Sequence, residues 1–364
     1  MLNKLKKYLK LSKKLVFRLF VYYWRSGIWQ KFVVIFLIII TILSIFMYSI
    51  GEWYIQSQSN IPLQLGVSFI PDYATSLGLN PENTMAALIK IGVKHFRLVS
   101  YWSDGEPVKG TYSFSQLDWE FAMAQKAHAT ITLTLGLRQP RWPECHAPAW
   151  SVSEPTQVWE PQLYSYMAAV INRYKNSPSL ENYQLENEYF LKGFGNCTNF
   201  SRSRLIIEDN LIKNLDPKHP IIIGRSNNGI GFPIGQPQPN IFSISIYRRV
   251  WDANVTHRYL EYPFPSWYFA FLAGIQKIFL HKNMVIDEMQ AEAWPPNGQT
   301  IPQTTLNEQN KSMNSKSLIA SFNFAKNTGM KSIDMWGAEY WYYRLVKLHD
   351  PSLWNVAKKE FNGK

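Results

Sequence analysis

Cysteine is nearly absent from this chain: only Cys145 and Cys197 occur in 364 residues. No CxxC pair and no HxxxH spacing accompanies them, which disfavours a zinc site. A single disulfide and two unpaired thiols both stay open at this level. No GxGxxG follows a strand-like run and no Walker sequence occurs, so neither a cofactor nor a metal is expected. Acidic residues are missing from positions 1–31, where nine Lys and Arg stand. Of the 38 basic residues, 29 remain beyond this stretch against 26 acidic ones, so the formal charge of +12 shrinks to +3 for the rest. That balance argues against nucleic acid as a partner.

Charge is also missing from residues 32–50, an apolar run that would span about 28 Å as a helix. The run is longer than a usual signal-peptide core, and no small-x-small cleavage site follows at 51–56, so an uncleaved anchor fits better than a cleaved signal. The positive charges ahead of it predict a single-pass protein with a cytoplasmic segment 1–31, a transmembrane helix 32–50 and an extracytoplasmic domain. Trp24, Trp29 and Trp53 would be interfacial anchors, and the lipid bilayer a partner. In that compartment a disulfide could persist. Residues 51–60 read as a polar linker and 61–364 as the folded domain.

That domain is rich enough in apolar residues (46% of the chain, 15% aromatic) to bury a large core. Short β-branched or apolar runs at 65–69, 95–99, 130–135, 182–185, 221–224, 242–246, 284–287 and 332–335 predict eight strands. Helical patterns fall between most of them, at 81–91 after the candidate cap Asn80, then 115–128, 161–174 and 312–327. Residues 225–240 hold too many Gly and Pro for a full helix. The stretch 263–280 is apolar enough to raise the question of a second span, but two prolines open it and Gln276 and Lys277 interrupt it, so a buried barrel helix is preferred. Eight βα units over about 290 residues predict a (β/α)8 TIM barrel preceded by one transmembrane helix. Chemistry in that fold sits at the C-terminal ends of the strands.

The fourth strand ends in Gln184-Leu185-Glu186-Asn187-Glu188-Tyr189 and the seventh in Val285-Ile286-Asp287-Glu288-Met289. Two carboxylic acids on separate strand ends can face each other across a barrel mouth. One can protonate a leaving oxygen while the other attacks an anomeric carbon.

These segments resemble the acid/base and nucleophile strands of glycoside hydrolase clan A, nearest in motif to families 35 and 42 and in single-barrel layout to family 5. A second block is similar to the same clan: Arg97, Trp102, Glu106-Pro107, Gly110, Tyr112, Phe114 and Leu117-Asp118. The resemblance implies a retaining glycosidase acting on a β-linked glycan, with Glu188 as acid/base and Glu288 as nucleophile. It also implies Asn187 on the sugar 2-hydroxyl, Arg97 and Tyr247 on the nucleophile, and Trp336 under the first sugar. Trp102, Trp142 and His146 are further candidates for sugar binding, as are Arg138, Glu339 and Trp341. Glu186 and Glu292 are rival carboxylates, ranked lower only by the motif. In the implied barrel Cys145 and Cys197 fall in neighbouring loops, where a disulfide would brace the cleft. The alternative is a catalytically silent or transglycosylating glycan-binding protein of the cell envelope.

Overall fold

The computed structural model describes residues 18, 27–189, 191, 194–197, 199–226, 235 and 237–363. Its strands are β1 (Gln64–Phe69), β2 (His95–Leu98), β3 (Thr130–Leu135), β4 (Leu180–Leu185), β5 (Ile221–Ser226), β6 (Ile241–Ile246), β7 (Arg249–Asp252), β8 (Arg258–Glu261), β9 (Asn283–Gln290) and β10 (Ser332–Trp336). Eight of them close a parallel barrel in the order β1-β10-β9-β6-β5-β4-β3-β2. These are the eight expected strands, their ends shifted by a few residues. Runs such as Ile221-Ile222-Ile223 are apolar without alternation because a parallel strand is covered on both faces. β6 alternates instead, and its Ser243 and Ser245 hydroxyls both donate to Asp287. At the N-terminal end of the barrel, His95 is buried among Thr130, Thr132, Glu181 and Asp334.

The longer helices are α1 (Ile28–Ser57), α2 (Pro81–Lys90), α3 (Ser115–Lys126), α4 (Thr156–Tyr174), α5 (Arg202–Leu215), α6 (Ser266–Leu280), α7 (Ser315–Lys326), α8 (Ala338–Lys347) and α9 (Ser352–Asn362). Asn80 caps α2, accepting from the Asn83 amide at 2.8 Å, with Pro81 at the first position. α4 begins ahead of the expected 161 and runs through Pro161, which removes one backbone bond. Burial of Leu163, Met167, Val170 and Ile171 on one face holds it in place. The helix expected over 312–327 is α7, starting at Ser315 after its cap Asn314, which accepts from the Ser317 amide, and a separate short helix, Leu306–Ser312, precedes it. In the stretch 225–240, residues 227–234 and 236 lie outside the described residues. The others form the end of β5 and a connection without helix. The antiparallel hairpin β7–β8, inserted between β6 and α6, was not expected.

α1 is 30 residues long, and the helix is long and apolar enough to cross a membrane. Trp29 and Trp53 are exposed on it; Trp24 lies outside the described residues. The expected linker is different in structure: residues 51–57 are the last turns of α1 and pack on the barrel. Tyr54 is buried in the core, and Gly51 meets α6 so closely that a Cβ there would sit 2.7 Å from the Trp267 carbonyl oxygen. A Cβ on Gly274 of α6 would likewise sit 2.7 Å from Ile50 Cγ2. Two glycines at one crossing let the backbones approach, which replaces a flexible tether with a docked helix.

Candidate active site

Arg97 projects from β2, Glu186-Asn187-Glu188 follow β4, Tyr247 follows β6, and Asp287 and Glu288 lie on β9. A regular strand would send neighbouring side chains to opposite faces. β9 escapes this by a bulge: Ser243 pairs with Val285 but Ser245 with Glu288, so one extra residue is accommodated. Asp287 and Glu288 then both reach the barrel interior, Asp287 to the serines of β6 and Glu288 to Arg97.

A break after β4 settles the relation between Glu186 and Glu188. Both residues have positive φ, 55° and 41°, so the chain turns sharply instead of continuing as a strand. Glu186 turns back to accept from the Leu137 and Arg138 amides at 2.9 and 2.8 Å and to meet Arg204. Its carboxylate is spent on holding the loop after β3. Glu188 points into the cavity.

Glu288 accepts from Arg97 Nη1 at 2.8 Å on one oxygen and from the Tyr247 hydroxyl on the other. Arg97 also donates to Asn187 Oδ1 at 2.8 Å, which links the ends of β2, β4 and β9. Glu188 has no such partners at its Oε1, which is buried and unbonded. Burial first, then the charges of Glu288 and Glu144, push its pKa well above the ordinary carboxyl range. A carboxyl so raised favours its protonated form. Glu144 accepts from Asn187 Nδ2 at 3.2 Å and lies 3.5 Å from Arg138. Burial pushes it up to about 7, with Arg138 pulling down and Glu288 pushing up.

These acids line a cavity of about 280 Å³. Its aromatic wall is made by Trp142, Phe194, Trp294 and Trp336, with the Arg141 guanidinium 4.5 Å over the Trp336 ring. Glu292 holds Arg141 with both oxygens at 3.2 Å and lines the same cavity. Apolar ring faces beside fixed carboxylates suit a sugar, whose C–H face stacks while its hydroxyls take hydrogen bonds.

No protein-family model matches the chain, and no curated protein matches it in sequence. Solved structures do match. A β-galactosidase from the haloarchaeon Halorubrum lacusprofundi aligns with a TM-score of 0.52 at 14% identity, over 82% of this chain and 58% of its own. An exo-β-1,4-mannosidase from Opitutaceae bacterium strain TAV5 gives 0.52 at 13%, over 83% and 60%. A xylanase from Cellvibrio japonicus, in complex with xylopentaose, gives 0.53 at 12%, over 82% and 67%. The chain shares their barrel fold. It spans 58% and 60% of the length of the first two.

Glu188, Glu288, Tyr247, Trp336 and Trp142 come together around this cavity, with Arg97 and Asn187 directly behind it. Trp102 and His146, expected to bind sugar, do not line it. Trp102 is fully buried, donates from Nε1 to Glu106 and packs edge-on against Trp150. His146 stacks on Tyr101 and bonds the Arg141 carbonyl; burial lowers its pKa to about 4. Arg138 braces loops by donating to the Asn187 and Phe194 carbonyls. Glu339 accepts from the Ile70 amide, and Trp341 donates to the Ala291 carbonyl, both outside the wall. Glu144, Arg141, Phe194 and Trp294 were missed. Only their place in loops after β3, β4 and β9 could have flagged them, because loop side chains carry no periodicity that says which point inward. Cys145 and Cys197 form a disulfide that ties the loop after β3 to the loop after β4, beside Glu144.

Proposed function

We propose that this chain is a retaining glycoside hydrolase that cleaves a β-linked glycan outside the cytoplasm, anchored by α1. The observation that carries the reading is the pairing of Glu288, held on both oxygens by Arg97 and Tyr247, with the buried Glu188, whose pKa burial pushes up, in one cavity. In the first step a Glu288 oxygen bonds the anomeric carbon as the glycosidic bond breaks, and Glu188 gives its proton to the departing oxygen. In the second, Glu188 as carboxylate takes a proton from water, the water oxygen bonds the anomeric carbon, and the ester to Glu288 breaks. Glu188 is protonated again and the configuration is retained. In this reading Asn187, behind the cavity and bonded to Arg97 and Glu144, would bond a sugar hydroxyl, and the cavity-lining Trp336 and Trp142 would stack on sugar faces.

The names of the β-galactosidase and the β-1,4-mannosidase favour a β linkage; the sugar itself is left to experiment. Anchoring is supported by the continuity of α1, which runs unbroken from the apolar run into the turns that carry the buried Gly51 and Tyr54. The nine positive charges ahead of the span support a cytoplasmic N-terminus.

The test uses the full chain in detergent, since trimming to the barrel would strip Gly51 and Tyr54 from α6. On aryl β-glycosides of several sugars, Glu188→Ala and Glu288→Ala should each lose at least about 100-fold in turnover. Azide should restore turnover to β-glycosyl azide in Glu188→Ala and to the α anomer in Glu288→Ala. Unchanged rates in both variants would overturn the assignment.

A further inference from the structure

We infer that the mouth of the barrel faces the bilayer crossed by α1, so that the substrate is a glycan whose aglycone is held in the adjacent membrane leaflet. This rests on the catalytic and anchoring reading above and deepens it.

The argument is one of direction. Helices in a (β/α)8 barrel run opposite to the strands. α6 begins just after the hairpin β7–β8, on the face that carries Glu188 and Glu288. It ends at Leu280, just before β9 starts at Asn283 on the opposite face. α1 lies along α6 in the same direction. The Tyr48 ring meets the Trp267 ring at a centroid distance of 5.8 Å in the first turn of α6, Gly51 meets Trp267 and Phe271, and Tyr54 meets Gly274. Ile55 reaches Gly329, in the turn that feeds the N-terminal end of β10. Residues 48 to 57 therefore descend the outside of the barrel from mouth to base.

Followed the other way, from Tyr48 back to Phe32, α1 leaves the barrel on the mouth side. It is one helix from Ile28 to Ser57, with no proline in it to turn the apolar run aside. The outer end of the apolar run overlaps the first half of α6, Tyr48 meeting Trp267 and Ile50 meeting Gly274. Transmembrane helices tilt by about 20° on average, so the mouth looks toward the lipid surface and not away from it.

The loops of the mouth have surfaces suited to that position. Val255, at the tip of hairpin β7–β8, is 81% exposed, and Trp142 on the cavity rim 60%. Leu260, in β8, and Phe264, just before α6, are also exposed. Apolar side chains carried on a rim against the headgroups are what an interfacial contact requires. The exposed end of α6, Ile278 to Leu280, lies at the base, away from the span. A glycan headgroup standing on lipid enters such a mouth directly, whereas a polymer in bulk water must first pass between rim and bilayer.

The test reconstitutes the full chain in phosphatidylcholine vesicles. An environment-sensitive fluorophore on Val255→Cys should be quenched by lipids bearing a nitroxide near the headgroup, and the same probe on Phe279→Cys should not. Quenching at Phe279 alone, or at neither site, overturns the orientation. Long-chain alkyl β-glycosides of glucose, galactose and mannose embedded in the same vesicles are then compared with the soluble aryl β-glycosides. For the sugar that is accepted, confinement to the shared surface should raise kcat/KM at least about tenfold. Val255→Asp with Leu260→Asp should abolish that advantage while leaving the aryl glycoside rate unchanged. Equal rates on embedded and soluble forms would overturn the substrate class. If no β-glycoside of either kind is cleaved, the catalytic reading fails and the substrate class with it, while the quenching pair still decides the orientation.

Discussion

Two glutamates of identical chemistry have different surroundings. Glu288 has a cation and a phenol on its oxygens; Glu188 is buried with one oxygen unbonded, near Glu288 and Glu144, with Ser226 and Ser245 as its hydrogen-bonding neighbours. Removing the phenol, in Tyr247→Phe, deprives a charged group of a hydrogen bond of about 1.5–3 kcal/mol. Turnover should fall about 10- to 100-fold with KM little changed, and steady-state kinetics on an aryl glycoside measure both. Glu144 acts on Glu188 through its charge. The alkaline limb of the pH–rate profile should mark loss of the Glu188 proton, and Glu144→Gln removes a charge that holds that proton on. The limb should therefore move to lower pH; a limb that stays or moves up would deny this coupling.

At the scale of elements, two irregularities make the site. The bulge in β9 brings Asp287 and Glu288 to one side, and the positive-φ break after β4 sends Glu186 and Glu188 apart. Neither was legible in the alternation of residues, which treats strands as regular. In sequence Glu188 ranks above Glu186 only by likeness to a motif; the structure shows Glu188 lining the cavity and Glu186 held away by amides and an arginine. A second joint is the crossing of α1 and α6. Gly274→Leu would force the two backbones apart at a packed contact, at a cost of about 1–3 kcal/mol. Thermal unfolding of the full chain in detergent should fall by a few degrees, and protease should cut sooner near residues 51–60. An unchanged melting curve and digestion pattern would mean that the docking contributes nothing.

Over the whole molecule, burial of acids in the barrel gives stability a defined pH slope. Burial pushes Glu144 and Glu339 up to about 7 and Asp287 to about 6. Unfolded carboxyl groups titrate near pH 4, so between about 4 and 7 the folded chain binds more protons than the unfolded one. Stability from these groups is fully present below that window and is lost as pH rises through it. Glu181, pushed down to about 2 by hydrogen bonds and charge from His95 against its burial, works in the opposite sense below about pH 4. Melting temperature should accordingly decline from pH 5 to pH 8. Glu339→Gln, which keeps an acceptor for the Ile70 amide, should flatten the slope, and an identical slope would remove Glu339 from the account.

The order of the eight barrel strands, the N-terminal apolar run and the charge ahead of it were settled by sequence alone, because each is written in local periodicity and composition. That Glu188 and Glu288 share one cavity was legible as well, since strand ends in a parallel barrel converge and a motif marked which ends to read. What only the tertiary structure decided depends on distance and direction between segments far apart in the chain. Trp102 and His146 turn into the packing, and Glu144, Arg141 and Trp294 turn into the cavity. Cys145 meets Cys197, and the supposed linker continues as helix along α6. That last contact sets the direction of the barrel relative to α1, and no local pattern encodes it because it arises where two distant glycines let two helices touch.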